Sequence, residues 1–190
     1  MSPVFCRNSL LNFCDPWGWV DWQDETVRQL RDGYMQTAHG AQKIAMIEEL
    51  EKSTKITITV GKGTKDSFDR KSHVSLTGKG VTYRSGDVMD AKGSPLEVLN
   101  HELDHAQRFL EKGYQGYIDA LGESHDLLEN MIEALAIEDT NKLRKELGND
   151  KPRTHYWKEK KERLKDGRRT GIFVRVDNFG VGDYYNDFCN

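Results

Sequence analysis

The sequence is short of the features that would place it outside ordinary globular chemistry. Its three cysteines, Cys6, Cys14 and Cys189, contain no CxxC pair. So sparse and odd a set is neither a disulfide framework nor a cysteine zinc site, although a Cys6–Cys14 bridge stays open. No stretch approaches the roughly 18 apolar residues of a transmembrane helix, so no membrane span is expected. The opening MSPVFCRNSLLNFCDPWGWV has no clean apolar run behind a basic start, because Arg7, Asn8, Asn12 and Asp15 interrupt it. It is therefore not expected to be a signal peptide, and export would depend on something else. Charge of one sign is also missing. The 28 Lys and Arg nearly balance 31 Asp and Glu, for a net −3, which predicts no nucleic-acid or anionic-membrane partner. No internal repeat is visible.

What is present suits one soluble globular domain: 190 residues, 36% hydrophobic and 31% charged. The segment up to about Trp19 is rich in turn formers and aromatics. From Asp21 to Lys52 the pattern is helical, with Val27, Leu30, Tyr34, Ala38, Ala41, Ala45 and Leu50 recurring. Gly33 and Gly40 predict a break near them. Lys55–Val60 alternates and is β-branched, so it reads as a strand ended by Gly61-Lys62-Gly63. His73–Thr77 and Val81–Arg84 read as two more strands, joined through Gly78-Lys79-Gly80 as a hairpin.

Ser94-Pro95-Leu96-Glu97 opens a helix with a capping box and a proline in the first turn. Leu96, Leu99, Leu103, Ala106 and Leu110 continue its face, and Gly113 is a natural stop. A second helix is expected from about Ser124 to Leu147, ended by Gly148. Lys158–Arg169 is charged and expected to be helical, and Gly171–Val176 a late strand.

The first of these two helices carries the chemistry. His101-Glu102-Leu103-Asp104-His105 matches HExxH. Residues four apart on a helix share a face, so two imidazoles can grip one zinc ion from one side. Glu102 is then placed to take a proton from a water on the same metal, whose pKa zinc lowers towards ~7. The competing reading is a pair of surface histidines at helical spacing. A catalytic zinc needs a third protein ligand, and no histidine follows at the HExxHxxGxxH position, where residue 111 is Glu. The third ligand is therefore expected from the second helix. Glu133 lies among apolar and small residues. Glu138 sits nearer the centre of a stripe formed by Leu128, Met131, Ala134 and Leu135, and both remain candidates. His125 is a weaker candidate, and His39 and His73 are expected to be structural or exposed.

Two resemblances enter at this point. Asn8-Ser9-Leu10-Leu11-Asn12-Phe13-Cys14-Asp15-Pro16-Trp17-Gly18 resembles the motif closing the RHS-repeat core, with Leu10 where that motif has proline. In that family the motif marks the junction between a β-rich shell and a variable C-terminal toxin. The resemblance implies an RHS remnant over 1–19, a toxin module over 20–190, and a self-cleavage junction near Asp15-Pro16. Further on, His101–Ala106, Glu133, Asn141–Gly148 and Arg153–Tyr156 resemble the NleD-like zinc metallopeptidases of bacterial effectors. Their counterparts there are HELxHA, a downstream acid, N-x-x-R-x-E-L-G and R-x-x-Y. This resemblance favours Glu133 as third ligand. Tyr156 can either donate to a tetrahedral oxyanion or simply pack.

The expectation is thus an α+β, zincin-like domain with a small antiparallel sheet, and two helices sandwiching Zn2+ held by His101, His105 and Glu133. Glu102 is the expected catalytic base of an endopeptidase toxin, delivered as part of a larger protein to act on a protein substrate in a target cell. The resemblance further implies a cognate immunity protein. The rival reading is a non-catalytic metal-binding or protein-interaction module. A basic nucleic-acid patch at Lys158–Arg169 is disfavoured by the interleaved Glu159 and Glu162, which suit a solvated helix face. Phe179, Tyr184, Tyr185 and Phe188 read as packing residues.

Overall fold

The computed structural model describes residues 20–69, 72–83, 91–120, 125–150, 152–153, 155–163 and 169–177. The RHS-like segment, all three cysteines and the tail aromatics lie outside these residues. Among the described residues the architecture is α+β, with four helices and a small mixed four-stranded sheet.

The chain enters through a two-residue strand, β1 (Asp21–Trp22). Asp24 then caps α1 (Glu25–Tyr34) by accepting the Val27 N–H, and its other oxygen takes the Lys62 N–H at 2.7 Å. One carboxylate therefore starts the helix and ties it to the sheet. The expected break falls between Tyr34 and Ala38, where Thr37 Oγ1 caps α2 (Ala38–Thr54) through the Gly40 N–H at 2.9 Å. A Cβ on Gly40 would lie 2.2 Å from the Tyr34 carbonyl oxygen, so only glycine fits this turn.

β2 (Thr59–Lys62) follows, later than the expected strand and running through Gly61. β3 (Ser67–Asp69) and β4 (His73–Leu76) complete the sheet in the order β1-β2-β4-β3. Here the expected antiparallel sheet is corrected. β1 and β4 both run parallel to β2, and β3 alone is antiparallel, at the edge beside β4. For β1 and β2 the cause is the crossover through α1 and α2, the kind of connection that parallel neighbours require, whereas β2 and β4 are joined through β3. The expected hairpin between residues 73–77 and 81–84 is also overturned. β5 (Val81–Tyr83) pairs with β6 (Ala91–Gly93) in a separate two-stranded sheet.

α3 (Pro95–Ala120) lies on the sheet; its backbone is non-helical at the expected stop, Gly113 (φ 69°, ψ 168°), where two helical segments meet at a kink. Leu99, Leu103 and Leu110 are buried with Ile58, Val60, Val74 and Leu76. Each buried leucine stabilises by roughly 2 kcal/mol. They sit about 160–200° round the helix from His101, so burying them turns the histidines away from the sheet and towards α4 (His125–Glu146). Ser94 Oγ accepts the Glu97 N–H, but the Glu97 carboxylate turns to Arg144 of α4. The last described elements are β7 (His155–Arg163) and β8 (Arg169–Asp177), an antiparallel pair. Of the helix expected over Lys158–Arg169, the described residues Lys158–Arg163 and Arg169 are strand instead, and the rest lies outside the described residues. The late strand expected at Gly171–Val176 lies within β8.

One buried acid predicts a pH-dependent stability. The Glu51 side chain is fully buried, accepts the Ile58 N–H at 2.5 Å, and leaves Oε2 without a partner among the described residues. Burial is the main cause that pushes its pKa up from 4.5 to about 7, with Glu48 adding to it against the Ile58 hydrogen bond. The folded chain thus holds a proton that the unfolded chain releases, so stability falls as pH rises from about 4.5 to 7. Glu51→Gln should remove that slope and gain up to about 3 kcal/mol over the parent at pH 8, with no gain at pH 4. Denaturant unfolding at the two pH values measures it. Equal stabilities at both would show that Glu51 is ionised in the fold.

Candidate metal centre

α3 presents His101 and His105 one turn apart, and α4 brings Glu133 to them. His101 Nε2 lies 3.1 Å from Glu133 Oε2, His105 Nε2 lies 3.3 Å from Oε1, and the two Nε2 atoms are 3.2 Å apart. The rings meet edge to face, with centroids 4.8 Å apart and planes at 87°. This group could hold a metal ion, and it is the one such cluster of His, Cys, Asp and Glu among the described residues. His101 and His105 are 14% and 9% exposed and Glu133 is 27% exposed. Solvent therefore reaches the cluster across the carboxylate.

The electrostatics follow from this packing. Burial opposes ionisation of Glu133, yet its hydrogen bonds to His101 and His105 and their charge hold its pKa well below the usual carboxylate range. For His105, burial alone would favour the neutral ring; Glu133, Glu102 and Asp104 outweigh it and raise the pKa. Glu102, 8% exposed, has its pKa raised chiefly by burial, while His101 and His105 pull it back. Its carboxylate also accepts the backbone N–H of Phe68 on edge strand β3. The Phe68 ring packs on Phe109 of α3 at 5.5 Å between centroids. One edge-strand residue thus fixes both the carboxylate and the helix that bears it.

Neither His101 Nδ1 nor His105 Nδ1 has a hydrogen-bond partner among the described residues, though both are buried. Leaving such a group unmet costs about 1–3 kcal/mol. Metal-ligating imidazoles are ordinarily oriented through that second nitrogen. Among the described residues, what orients the two rings is the helix that carries them.

The α4 face that meets α3 is Glu133, Ala136, Ile137, Thr140 and Arg144, of which all but Glu133 are buried. Glu138 is exposed on another face, and Leu135 is only half-buried. The stripe that favoured Glu138 was misplaced because it counted apolar residues alone, and the true interface contains Thr140 and Arg144. The side chains of His125 and Tyr156 lie outside the described residues. His39 is structural, 3.0 Å from Asp139, and His73 is half-buried in β4.

Sequence reasoning missed the polar residues behind the motif. Lys43 Nζ lies 2.8 Å from both Asp104 and Asp139, joining α2 to α3 and α4. Arg108 meets Asp104 at 2.7 Å. A lysine among the alanines of an apparent helix stripe gave no signal of this. No helix among the described residues is long and apolar enough to cross a membrane. No family model, curated protein or solved structure matches this chain.

Proposed function

We propose that this chain is a zinc-dependent endopeptidase of zincin-like, gluzincin-type design, acting as a toxin or effector on a protein of a target cell. The observation that carries the reading is the triangle of ligating atoms, with edges of 3.1, 3.2 and 3.3 Å. Tetrahedral zinc with bonds of about 2.0–2.1 Å needs ligand atoms about 3.3 Å apart. Two imidazoles and one carboxylate are also a donor set of catalytic zinc sites, which keep a fourth position open. The helix–edge-strand pairing of α3 with β3 suits the zincin-like arrangement.

Zinc in this cluster would polarise a peptide carbonyl and lower the pKa of a bound water. His101, His105 and Glu133 would hold it. Glu102, raised in pKa and steadied by the Phe68 N–H, would take the proton of the attacking water and hand it to the leaving amine. The 1–19 segment, by its RHS resemblance, supports delivery within a larger protein, with residues from 20 onward as the active module and an immunity protein as its partner.

Removal of metal tests this directly. Zinc-loaded protein should generate new N-termini in a cell extract, and chelated protein should generate none until zinc is restored. An extract that gains no new N-termini from the loaded protein would rule out endopeptidase action on its contents.

A further inference from the structure

Asn100 immediately precedes the HExxH segment and is fully buried. Its Nδ2 donates to Asp139 Oδ2 at 3.1 Å and to Thr140 Oγ1 at 3.2 Å, both on α4. Its Oδ1 accepts the Tyr34 hydroxyl of α1 at 2.5 Å. The Thr140 hydroxyl donates to the Ala136 carbonyl at 2.7 Å, so it meets Asn100 only as an acceptor. Asp139 is held in turn by Lys43 at 2.8 Å and His39 at 3.0 Å. Each polar atom of the amide is thus engaged, with the nitrogen towards acceptors and the oxygen towards a donor.

The placement gives these contacts their meaning. Asn100 adjoins His101 on α3. Thr140 lies two turns beyond Glu133 on the same face of α4. The clamp between them sets how far α4 slides along α3, and so where the Glu133 carboxylate meets the two imidazoles. Ligand distances tolerate only about 0.2 Å of error. With no Nδ1 partner to aim either ring among the described residues, helix register must carry that precision.

We propose that Asn100 is a positioning residue for the metal centre, its amide locking α4 against α3 so that Glu133 meets His101 and His105 in ligating geometry. The proposal rests on the metal reading above.

Asn100→Asp keeps the shape and replaces the donor with a carboxylate facing Asp139 and Thr140. Zinc affinity, measured by competition with a chromogenic chelator, should fall about 10–100-fold, as for other supporting contacts of metal ligands. The visible spectrum of the Co2+-substituted protein should weaken as Glu133 leaves the ion. Combining Asn100→Asp with Asp139→Asn restores an amide facing a carboxylate and should recover most of the affinity. Ile47→Val, a core change on α2, serves as the comparator and should leave zinc affinity unchanged at similar loss of stability. A folded Asn100→Asp protein with parental affinity and spectrum overturns the proposal, as does an equal loss in Ile47→Val. If Asn100→Asp does not fold, Thr140→Val removes one acceptor at constant shape. It should weaken zinc binding severalfold, and unchanged affinity there is equally decisive against the proposal. Failure of the parent chain to bind Zn2+ or Co2+ would instead sink the metal reading itself.

Discussion

Glu102→Gln should lower peptide hydrolysis by about 10²–10⁴-fold, the usual contribution of a general base, while zinc affinity stays near that of the parent. Glutamine has the same shape and can still accept the Phe68 N–H, so β3 and α3 should keep their places. What it cannot do is take a proton. The three proposed ligands are untouched, and elemental analysis should find one metal ion per chain in both proteins. Rates are read from the appearance of new N-termini, or from toxicity when the chain is produced inside a susceptible cell. Parental hydrolysis in the variant would remove Glu102 from the chemistry, and toxicity that persists without hydrolysis would favour the non-catalytic binding module. The separation of affinity from rate is the informative part, since an unfolded variant would lose both.

The second large effect concerns stability. Arg144 and Glu97 form an ion pair between α4 and α3, and their side chains are only 1% and 4% exposed. Each charge also suits its helix: Glu97 sits in the first turn of α3 and Arg144 in the last turn of α4. Removing Arg144 strands the Glu97 charge in a dry interface. Arg144→Met alone should therefore cost about 3–5 kcal/mol in denaturant unfolding. Adding Glu97→Leu should return most of that loss, because a well-packed apolar pair is often as stable as a buried ionic one. If the double variant is as unstable as the sum of the two single ones, the residues are not energetically coupled.

The contrast between legible and hidden features follows from what each depends on. The HExxH helix was readable because a capping serine, a proline and a leucine stripe all coincide in one segment. The limits of α4 were readable from its periodicity and from Gly148, which takes φ 78° just past its end. Strands β1, β3 and β6 have two or three residues each, too few for alternation to register. The faces of α2 and α4 were misjudged for one shared reason. Both bury charged or hydroxylated residues, Lys43 and Glu51 on one and Thr140 and Arg144 on the other. Lys43 meets Asp104, Thr140 meets Asn100 and Arg144 meets Glu97, each 40 or more positions away along the chain, while Glu51 meets Ile58. No local pattern can announce a partner that distant.

The stretch Asn141–Gly148, singled out by resemblance, acquires a physical role in this light. Asn141 exchanges two hydrogen bonds of 2.8 Å with the backbone of Arg153. Arg144 pairs with Glu97, and Glu146 accepts the Ala38 and His39 N–H groups at 2.5 and 2.9 Å. The end of α4 is thereby fastened to the following chain, to the start of α3 and to the start of α2.

Val20 and Trp22 are buried to 6% and 9% exposure, and Asp21 and Gln23 donate their N–H groups to Ile58 and Val60 at 2.8 and 2.9 Å. Any scission that liberates this unit from preceding polypeptide must leave those four residues attached. A fragment trimmed to Asp24 would bare one flank of β2, giving a raw edge open to pairing with other chains.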